Sequence, residues 1–354
     1  MNAQFTQHNL IFKQASGTSR GVLTTKETYL LEISKNGQKG IGECAIFRGL
    51  SYDDVPDYEE KLTWLCENIH SDFEVLKKEL LHYPSIIFGL EQALLNLEHG
   101  EDLYFPSDFT DGKDSIKING LIWMGNADFM QSQIEEKLAK GFDCIKLKIG
   151  VDWKSEKEII KKLREKFPKE QLELRVDANG AFSYEEASMV LQELADLGIH
   201  SIEQPIKKSE VRSPKSEENS EKKSTDCCIP WNKMARLCAE TPTPIALDEE
   251  LIGIIDFEEK KKLLETIKPQ YIILKPALVG GFSGSDEWIA IAESLGINWW
   301  ITSALESNIG LNAICQYTYT KKNPLPQGLG TGALFTNNFE THLQLEGDQM
   351  WHKK

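Results

Sequence analysis

Between residues 115 and 332, short apolar runs alternate with stretches whose apolar residues recur at helical spacing. One helical stretch opens with Ser183 and Glu186 at the spacing of a capping box. About eight strands separated by helices are typical of a parallel (β/α) barrel. The doubly wound alternative requires a G-x-G-x-x-G after its first strand, and this chain has none there. The apolar runs are "SIKINGLI", "CIKLKIG", "LELRVDANG", "HSIEQP", "TPIALDEEL", "PQYIILKPAL", "INWWITSAL" and "LPQGLGTG".

The first 112 residues have a different pattern. The segment "TYLLEISKNGQKGIGECAI" places Asn36-Gly37 between two strand-like runs, which predicts a β-hairpin. Two segments with helical spacing follow, and Gly100 ends the second. We therefore predict an α+β unit over residues 1–112.

Residues 207–226, "KKSEVRSPKSEENSEKKSTD", have six basic and five acidic residues, and Val211 is the only aliphatic one. Such a segment buries too little apolar surface to offset the entropy of ordering it. We predict a flexible charged insertion in a loop of the barrel, with a lid or partner-docking role as the alternative.

Composition narrows the class of protein. The net charge of −15 argues against a nucleic-acid or anionic-membrane surface. The N-terminus does not have the pattern of a signal peptide, and no apolar stretch approaches the ~18–20 residues that span a membrane. The seven cysteines include no C-x-x-C motif, which argues against a zinc site or a disulfide framework. We predict a cytoplasmic protein with reduced thiols.

Three carboxylates lie at the ends of successive predicted strands. They are Asp177 in "RVDANG", Glu203 in "SIEQP" and Asp248 in "IALDEEL". In a barrel, strand ends meet at the C-terminal mouth, where three carboxylates repel one another unless a cation lies among them. Hard oxygen ligands without histidine or cysteine favour Mg²⁺, with Mn²⁺ as a substitute. For one of these acids alone, a helix cap or a surface position would be the simpler interpretation.

Two lysines share one side of the predicted strand "DCIKLKIG". Lys146 and Lys148 are two residues apart, and the apolar residues between and around them point to the other side. Lys275 ends the strand "QYIILK" after Asp248, so Lys148 and Lys275 flank the three carboxylates in chain order. A lysine can act as a general base when burial or a neighbouring cation lowers its pKa, and Lys146 provides such a cation. The combination suits removal of a proton α to a carboxylate.

These motifs resemble the enolase superfamily, in its muconate-lactonising-enzyme subgroup. They are K-x-K at Lys146 and Lys148, D-x-N at Asp177 and Asn179, E-Q-P at 203–205, D-E at Asp248 and Glu249, and the lysine of "ILKPALVGG". The resemblance implies an α/β fold: a (β/α)₇β modified TIM barrel with an N-terminal α+β capping domain. It assigns residues 1–112 to the capping domain, 113–315 to the barrel, and 316–354 to a last strand and a segment that returns to the capping domain.

Within the subgroup, the resemblance implies a Mg²⁺-dependent dehydratase of menaquinone biosynthesis. Its substrate would be a small carboxylate, 2-succinyl-6-hydroxy-2,4-cyclohexadiene-1-carboxylate, and its product 2-succinylbenzoate. Lys148 would remove the α-proton and Lys275 would stabilise the enediolate, although the two roles could be exchanged. The alternative is a dipeptide or N-acylamino acid epimerase, whose expected acidic pair "GLGTGALFTNN" lacks. An alternative of a different class is a barrel without catalytic activity that serves only for binding or assembly. Against this alternative, the chain keeps all three predicted metal ligands and both predicted catalytic lysines.

Further residues are candidates for supporting roles. Asn179 and Glu249 would orient the catalytic groups by hydrogen bonds. Four residues near the last two strands are candidates to bind the substrate's carboxylates, with ordinary turn chemistry as the alternative. Arg20, in the loop "SGTSRG", is a candidate anion contact or else an exposed loop arginine. The four are Ser303, Ser307, Gly330 and Thr331.

Overall fold

The computed structural model of the protein describes residues 1–18, 21–209 and 231–353. Arg20 and residues 210–226 of the predicted insertion lie outside this part of the chain, so both predictions stay predictions. Among the described residues, no helix is both long and apolar enough to cross a membrane.

The N-terminal unit is a three-stranded antiparallel sheet covered by three helices. Its strands are β1 (Asn2–Thr18), β2 (Gly21–Lys35) and β3 (Gln38–Cys44), in that order. Its helices are α1 (Tyr58–Asn68), α2 (Phe73–Glu79) and α3 (Pro84–His99).

The predicted hairpin is confirmed, and its turn explains why the sequence announces it. Asn36 and Gly37 connect β2 to β3 with φ of 53° and 82°, the left-handed pair that a tight two-residue turn requires. Farther along β3, Gly42 allows α3 to approach closely. A Cβ atom at Gly42 would lie 2.0 Å from the carbonyl oxygen of Gly89.

Seven parallel strands, β5 to β11, follow one another around the barrel in chain order. The strands from residue 115 onward are β4 (Ser115–Lys117), β5 (Gly120–Ile122), β6 (Cys144–Lys148), β7 (Glu173–Asp177), β8 (Ser201–Glu203), β9 (Ile245–Leu247), β10 (Tyr271–Leu274), β11 (Asn298–Ile301), β12 (Leu343–Glu346) and β13 (Gln349–His352). The helices between and after them are α4 (Ala127–Ala139), α5 (Trp153–Lys166), α6 (Tyr184–Asp196), α7 (Asn232–Glu240), α8 (Phe257–Ile267), α9 (Pro276–Val279), α10 (Gly281–Ser294) and α11 (Asn308–Thr320).

Two residues, Gln327 and Gly328, close the ring. Gln327 forms a parallel bridge with Ile118 just before β5, and Gly328 forms one with Thr302 just after β11. The N–H of Asn119 donates to the Gln327 carbonyl (2.9 Å), and the N–H of Ser303 donates to that of Gly328 (3.0 Å). The predicted (β/α)₇β barrel is therefore confirmed, with an eighth strand reduced to this seam.

The main core lies between the barrel strands and the helices that surround them. Ile145 and Leu147 of β6 are almost fully buried on this side, as are Leu174 and Val176 of β7. Burial of each such side chain contributes about 1.5–3 kcal/mol. Because side chains alternate along a strand, this placement turns the even-numbered residues of β6 into the barrel.

The C-terminal segment contacts both the first strand and the start of the barrel. The N–H of Lys13 donates to the carbonyl of Leu334 (2.8 Å), and that of Thr336 donates to the carbonyl of Ile11 (2.8 Å). The hairpin β12–β13 pairs antiparallel with β4. The domain boundaries at residues 112 and 315 stay predictions.

Candidate active site

Five ionisable residues lie at the ends of five consecutive barrel strands. Lys148 ends β6, Asp177 ends β7 and Glu203 ends β8, and the sheet register aligns these three residues side by side. Asp248 directly follows β9, and Lys275 directly follows β10. The alternation of strands and helices thus brings together all the residues predicted to carry the chemistry.

Both lysines of β6 turn into the barrel and bind carboxylates. Lys146 donates to Glu203 (2.7 Å) and to Asp177 (3.5 Å). Lys148 donates to Asp177 Oδ2 (2.6 Å) and to the side-chain oxygen of Asn179 (2.7 Å). Two like charges on one strand are compatible because each has a carboxylate partner.

Lys275 completes the arrangement from the other side. It donates to Asp248, and its Nζ lies 3.9 Å from Glu203 Oε1. Lys146 and Lys275 therefore contact opposite oxygens of Glu203, the central carboxylate.

The buried charges shift the pKa values of the acids in different directions. Burial opposes ionisation of Asp177, but Lys148 and Lys146 outweigh it and hold the pKa of Asp177 well below its usual range. Burial and the neighbouring Asp177 raise the pKa of Glu203 to about 8. Burial also raises the pKa of Asp248, against the effect of Lys275.

The pKa values of Lys146 and Lys275 are shifted upward, opposite to the direction expected for an amine base. Burial would lower the pKa of Lys146, but Glu203 and Asp177 outweigh it. In the same way, Asp248 and Glu203 outweigh burial and raise the pKa of Lys275. Carboxylate charge dominates this site, and only a further cation would offset it.

The three carboxylates fit a divalent cation. Asp177, Glu203 and Asp248 are each at most 2% exposed, and they offer only hard oxygen donors. Glu203 Oε1 is buried and accepts no hydrogen bond. Because an ionised oxygen in this state would be costly, the carboxyl favours its protonated form, and a bound metal ion would favour the ionised form instead.

Asn179 and Gln204 hold the acidic side chains in place. Asn179, in the left-handed region at φ 44°, donates its N–H to Asp177 Oδ1 (3.0 Å) and its side-chain NH₂ to Glu249 (3.1 Å). Gln204 Oε1 accepts the N–H of Asp248 (3.3 Å). The roles predicted for Asn179 and Glu249 stay predictions, which this hydrogen bond supports, whereas the sequence offers Gln204 only as the middle letter of E-Q-P.

A cavity of about 300 Å³ opens above these residues. Its floor includes Lys146, Lys148, Asp177 and Lys275, and its roof comes from residues 47–50 of the N-terminal unit. A site formed between two units in this way is a usual place for a small-molecule ligand.

Comparison with known proteins places this geometry in a family. A family model described as "Enolase C-terminal domain-like" matches residues 130–216 and 226–349, and one described as "MenC, N-terminal domain" matches residues 3–97. The o-succinylbenzoate synthase of Desulfotalea psychrophila is 41% identical to the chain, and the match covers 98% of each protein. The chain belongs to the o-succinylbenzoate synthase family of the enolase superfamily.

A solved structure and one further relative are also similar to the chain. The crystal structure of MenC from Desulfotalea psychrophila is 39% identical, covers 99% of each chain and superimposes with a TM-score of 0.83. The N-succinylamino acid racemase of Thermus thermophilus is 33% identical over 83% of this chain and 75% of its own. The predicted membership of the enolase superfamily is confirmed, and enzymes of this superfamily use Mg²⁺.

In this member of the o-succinylbenzoate synthase family, three of the four predicted substrate-binding residues line the cavity. They are Ser303, Gly330 and Thr331. The Ser303 hydroxyl donates to Glu306 (2.6 Å) and accepts from that of Thr331 (2.8 Å).

Ser307 is placed elsewhere, which corrects its prediction as a substrate contact. It is fully buried outside the cavity lining, where its hydroxyl donates to Glu43 and caps α11 by accepting the N–H of Ile309. A position just after a strand end suggested the mouth of the barrel, but the serine serves the helix that follows.

The roof of the site was missed by sequence reasoning. Phe47 and Leu50 line the cavity, and so does Arg48, whose guanidinium is held by Glu27 and Asp54. Trp123, directly after β5, adds a further aromatic wall. The available signal was "IFRGL", an apolar and basic loop that directly follows the last strand of the N-terminal sheet.

Proposed function

We propose that this protein is a Mg²⁺-dependent hydro-lyase that converts 2-succinyl-6-hydroxy-2,4-cyclohexadiene-1-carboxylate to 2-succinylbenzoate in menaquinone biosynthesis. The observation that carries the proposal is the pair of buried amines, Lys148 and Lys275, on either side of three strand-end carboxylates. The 41% identity to an o-succinylbenzoate synthase over nearly the whole chain supports this substrate.

Asp177, Glu203 and Asp248 would hold the Mg²⁺, and Mn²⁺, which also prefers oxygen ligands, would substitute for it. The metal would supply charge that stabilises the developing enediolate and that offsets the carboxylate charge around the lysines. Asn179 and Glu249 keep the acidic side chains oriented through the hydrogen bond between them.

Lys148 is the residue we assign to proton transfer. As a neutral amine it takes the proton from the carbon that bears the carboxylate, and the electron pair of the C–H bond enters the enediolate. The bond between carbon 6 and its hydroxyl then breaks, and the ammonium of Lys148 protonates the departing hydroxide to water. The ring becomes aromatic and the amine is restored, so a single residue acts as base and then as acid.

Lys275 approaches from the opposite side of the carboxylates and would stabilise the enediolate by its charge and by cation–π contact with the ring. Ser303 and Thr331 carry hydroxyls at one part of the cavity and would bind a substrate carboxylate after turning from their hydrogen bonds to Glu306 and to each other. Phe47 and Leu50 of the roof would cover the apolar ring and exclude water.

The test is the ultraviolet change that accompanies aromatisation of the cyclohexadiene. We expect Lys148→Ala to lower kcat by about 10²–10⁴-fold, the usual contribution of acid–base catalysis, and Lys275→Ala to lower it by about 10²–10³-fold, the usual cost of losing one electrostatic stabiliser. Lys140→Ala, which removes an exposed lysine paired with Glu136, serves as the control and should keep full activity. Turnover that survives complete removal of divalent metal would refute the mechanism.

Exchange of the α-proton with solvent separates the roles of the two lysines. Lys275→Ala should still exchange the proton slowly, whereas Lys148→Ala should not. The opposite result would exchange the two assignments without changing the reaction.

A second candidate is an epimerase or racemase of dipeptides or N-acylamino acids. The 33% identity to an N-succinylamino acid racemase favours it, and two lysines facing each other across a carbanion also suit proton transfer between the two faces. Deuterium incorporation into N-succinylamino acids, without turnover of the cyclohexadiene, would establish this function in place of the first. The cytoplasmic location and the absence of a nucleic-acid partner stay predictions from the sequence.

A further inference from the structure

A second group of metal-ligating side chains lies outside the candidate active site. Asp102 follows α3, in the connection between the N-terminal unit and the barrel. His342 directly precedes β12, and His352 ends β13. Because β12 and β13 form an antiparallel hairpin with Leu343 opposite His352, the two ends of the hairpin bring the histidines together.

The three side chains converge on one carboxylate oxygen. His342 Nδ1 lies 2.7 Å from Asp102 Oδ2, and His352 Nε2 lies 2.9 Å from the same atom. The three candidate ligand atoms all lie within 4.8 Å of one another. Asp102 itself is held by α11, because its carbonyl accepts from Asn312 (2.9 Å) and Gln316 (2.8 Å).

The local hydrogen bonding leaves buried polar atoms unsatisfied. His352 is completely buried, and its Nδ1 has no hydrogen-bond partner. The second oxygen of Asp102, Oδ1, is also buried and has none. Such atoms are uncommon in folded proteins, and a missing ligand is one ordinary explanation for the unpartnered Oδ1 of Asp102; Nδ1 of His352 is not the ring nitrogen that faces Asp102, and a metal would leave it as it is.

The donor set differs from that of the active site. Two imidazole nitrogens and one carboxylate oxygen suit Zn²⁺ and similar transition-metal ions, whereas three carboxylates suit Mg²⁺. In a tetrahedral site with bonds of about 2.0–2.1 Å, ligand atoms lie roughly 3.3 Å apart. The two histidine nitrogens need to move away from Asp102 Oδ2 by only about half an ångström to reach that spacing.

We propose that Asp102, His342 and His352 form a second, structural metal site for Zn²⁺ or a chemically similar ion. The side chain of His342 is 45% exposed, which leaves room for water as the fourth ligand and a path for the metal. The ion would fasten the C-terminal hairpin to the connection between the two units. The hairpin also pairs with β4 at the start of the barrel. The metal would therefore attach the C-terminal hairpin more firmly to the rest of the fold.

The test uses the full-length protein in excess Mg²⁺, so that the carboxylate site is filled, and Co²⁺ as a spectroscopic probe. Four-coordinate Co²⁺ absorbs visible light much more strongly than six-coordinate Co²⁺. We expect one equivalent to give the strong spectrum and Zn²⁺ to abolish it by displacement. Zn²⁺ should also raise the melting temperature, because it binds the folded chain preferentially.

Substitutions of the proposed ligands show whether the Co²⁺ spectrum arises from this site. His342→Gln keeps a group that can hydrogen-bond to Asp102. Because the side chain at this position is partly exposed, we expect the variant to fold. It should lower Zn²⁺ affinity by more than about tenfold, since changes even to outer-shell partners cost about that much. Asp102→Asn, which keeps the shape of the side chain, should behave alike. His82→Gln is the control, because His82 is exposed and its ring lies beside the hydroxyl of Tyr52.

Three results would overturn the proposal: no strong visible spectrum with Co²⁺, a spectrum that His342→Gln and Asp102→Asn leave intact, or one that His82→Gln removes as well. Dehydratase activity is a separate readout, since His342 does not line the active-site cavity. Loss of the Co²⁺ signal with full turnover therefore tests the second site alone.

Discussion

At the scale of single residues, the site concentrates buried charges of both signs in one place. Three lysines and three carboxylates meet with side chains no more than 13% exposed. Burying an ion costs several kcal/mol even after the protein relaxes, so such groups persist only when each finds a partner. Removing one charged side chain therefore leaves its former partner buried without compensation, which destabilises the folded protein.

Lys146→Met tests this cost, because methionine replaces the ammonium with an apolar group of similar length. Without Mg²⁺, we expect the free energy of unfolding to fall by about 3–5 kcal/mol, since Glu203 and Asp177 lose a buried cation. Excess Mg²⁺ should recover much of the loss. Urea denaturation with and without the metal measures both effects.

Lys140→Met is the matched control for that experiment. Lys140 also pairs with a glutamate, but both partners are about half exposed, and such helical pairs contribute about 0.3–0.5 kcal/mol. Equal losses in the two variants would show that burial of the site does not matter.

At the scale of secondary-structure elements, one strand of the N-terminal sheet holds the start of a barrel helix. Glu43 of β3 is fully buried and accepts the N–H groups of Ser307 (3.0 Å) and Gly310 (2.9 Å) at the N-terminus of α11. A carboxylate in this position satisfies the helix's free N–H groups and favours its dipole. The segment just before the helix carries Ser303 to the cavity, so the same contact positions the site.

Glu43→Gln should loosen this junction, because it keeps the shape of the side chain and removes its charge. We expect a loss of about 1–3 kcal/mol in stability, together with a raised KM. Glu32→Gln, which changes a partly exposed acid paired with Lys39, should stay within about 0.5 kcal/mol. If Glu43→Gln is destabilised but its KM is unchanged, the contact between Glu43 and α11 does not affect substrate binding.

The seam formed by Gln327 and Gly328 allows a direct test of how the barrel closes. A Cβ atom at Gly328 would lie 2.1 Å from Thr302 Oγ1, so Gly328→Ala forces the seam apart. Overpacking of this kind costs about 1–3 kcal/mol, measurable by urea denaturation. At Gly330, in the same segment, the nearest atom would be 3.4 Å away, and Gly330→Ala should be nearly neutral for stability.

Elements with local causes could be predicted from the sequence, and those with distant causes could not. The Asn36-Gly37 turn and the Ser183–Glu186 capping box form within a few residues, and both are present. The apolar run "SIKINGLI" predicts one strand, but in the structure it divides into β4 and β5. It divides because β4 pairs with β13, a strand more than two hundred residues later in the chain. The strand-end carboxylates follow from periodicity alone, whereas the roof at residues 47–50 depends on how the two units pack.

At the scale of the whole molecule, the two units are joined by a buried acid. Glu91 of α3 accepts the N–H groups of Phe282 and Ser283 at the start of α10. Burial raises the pKa of Glu91 to about 7, and these hydrogen bonds offset it only in part. The junction therefore favours the protonated carboxyl.

This shift predicts a dependence of stability on pH. In the unfolded chain Glu91 titrates near its ordinary value of about 4.3, so between about pH 4.3 and 7 the folded protein holds more protons at this group. By linkage, the contribution of Glu91 to stability is present in full below that window and declines as the pH rises through it. Glu91→Gln should make the free energy of unfolding less dependent on pH in this range, as urea denaturation at several pH values would show. Parallel pH profiles for the two proteins would contradict the assignment.

The seam also bears on how the protein is made. Gln327 and Gly328 leave the ribosome only after all seven of the other barrel strands, so between the emergence of β11 and that of the seam the sheet has two open edges, β5 and β11. Open edges with unpaired N–H and C=O groups are templates for pairing with other chains. The nascent chain is thus most exposed to aggregation just before residues 327 and 328 emerge, and chaperone demand and expression temperature act on that interval.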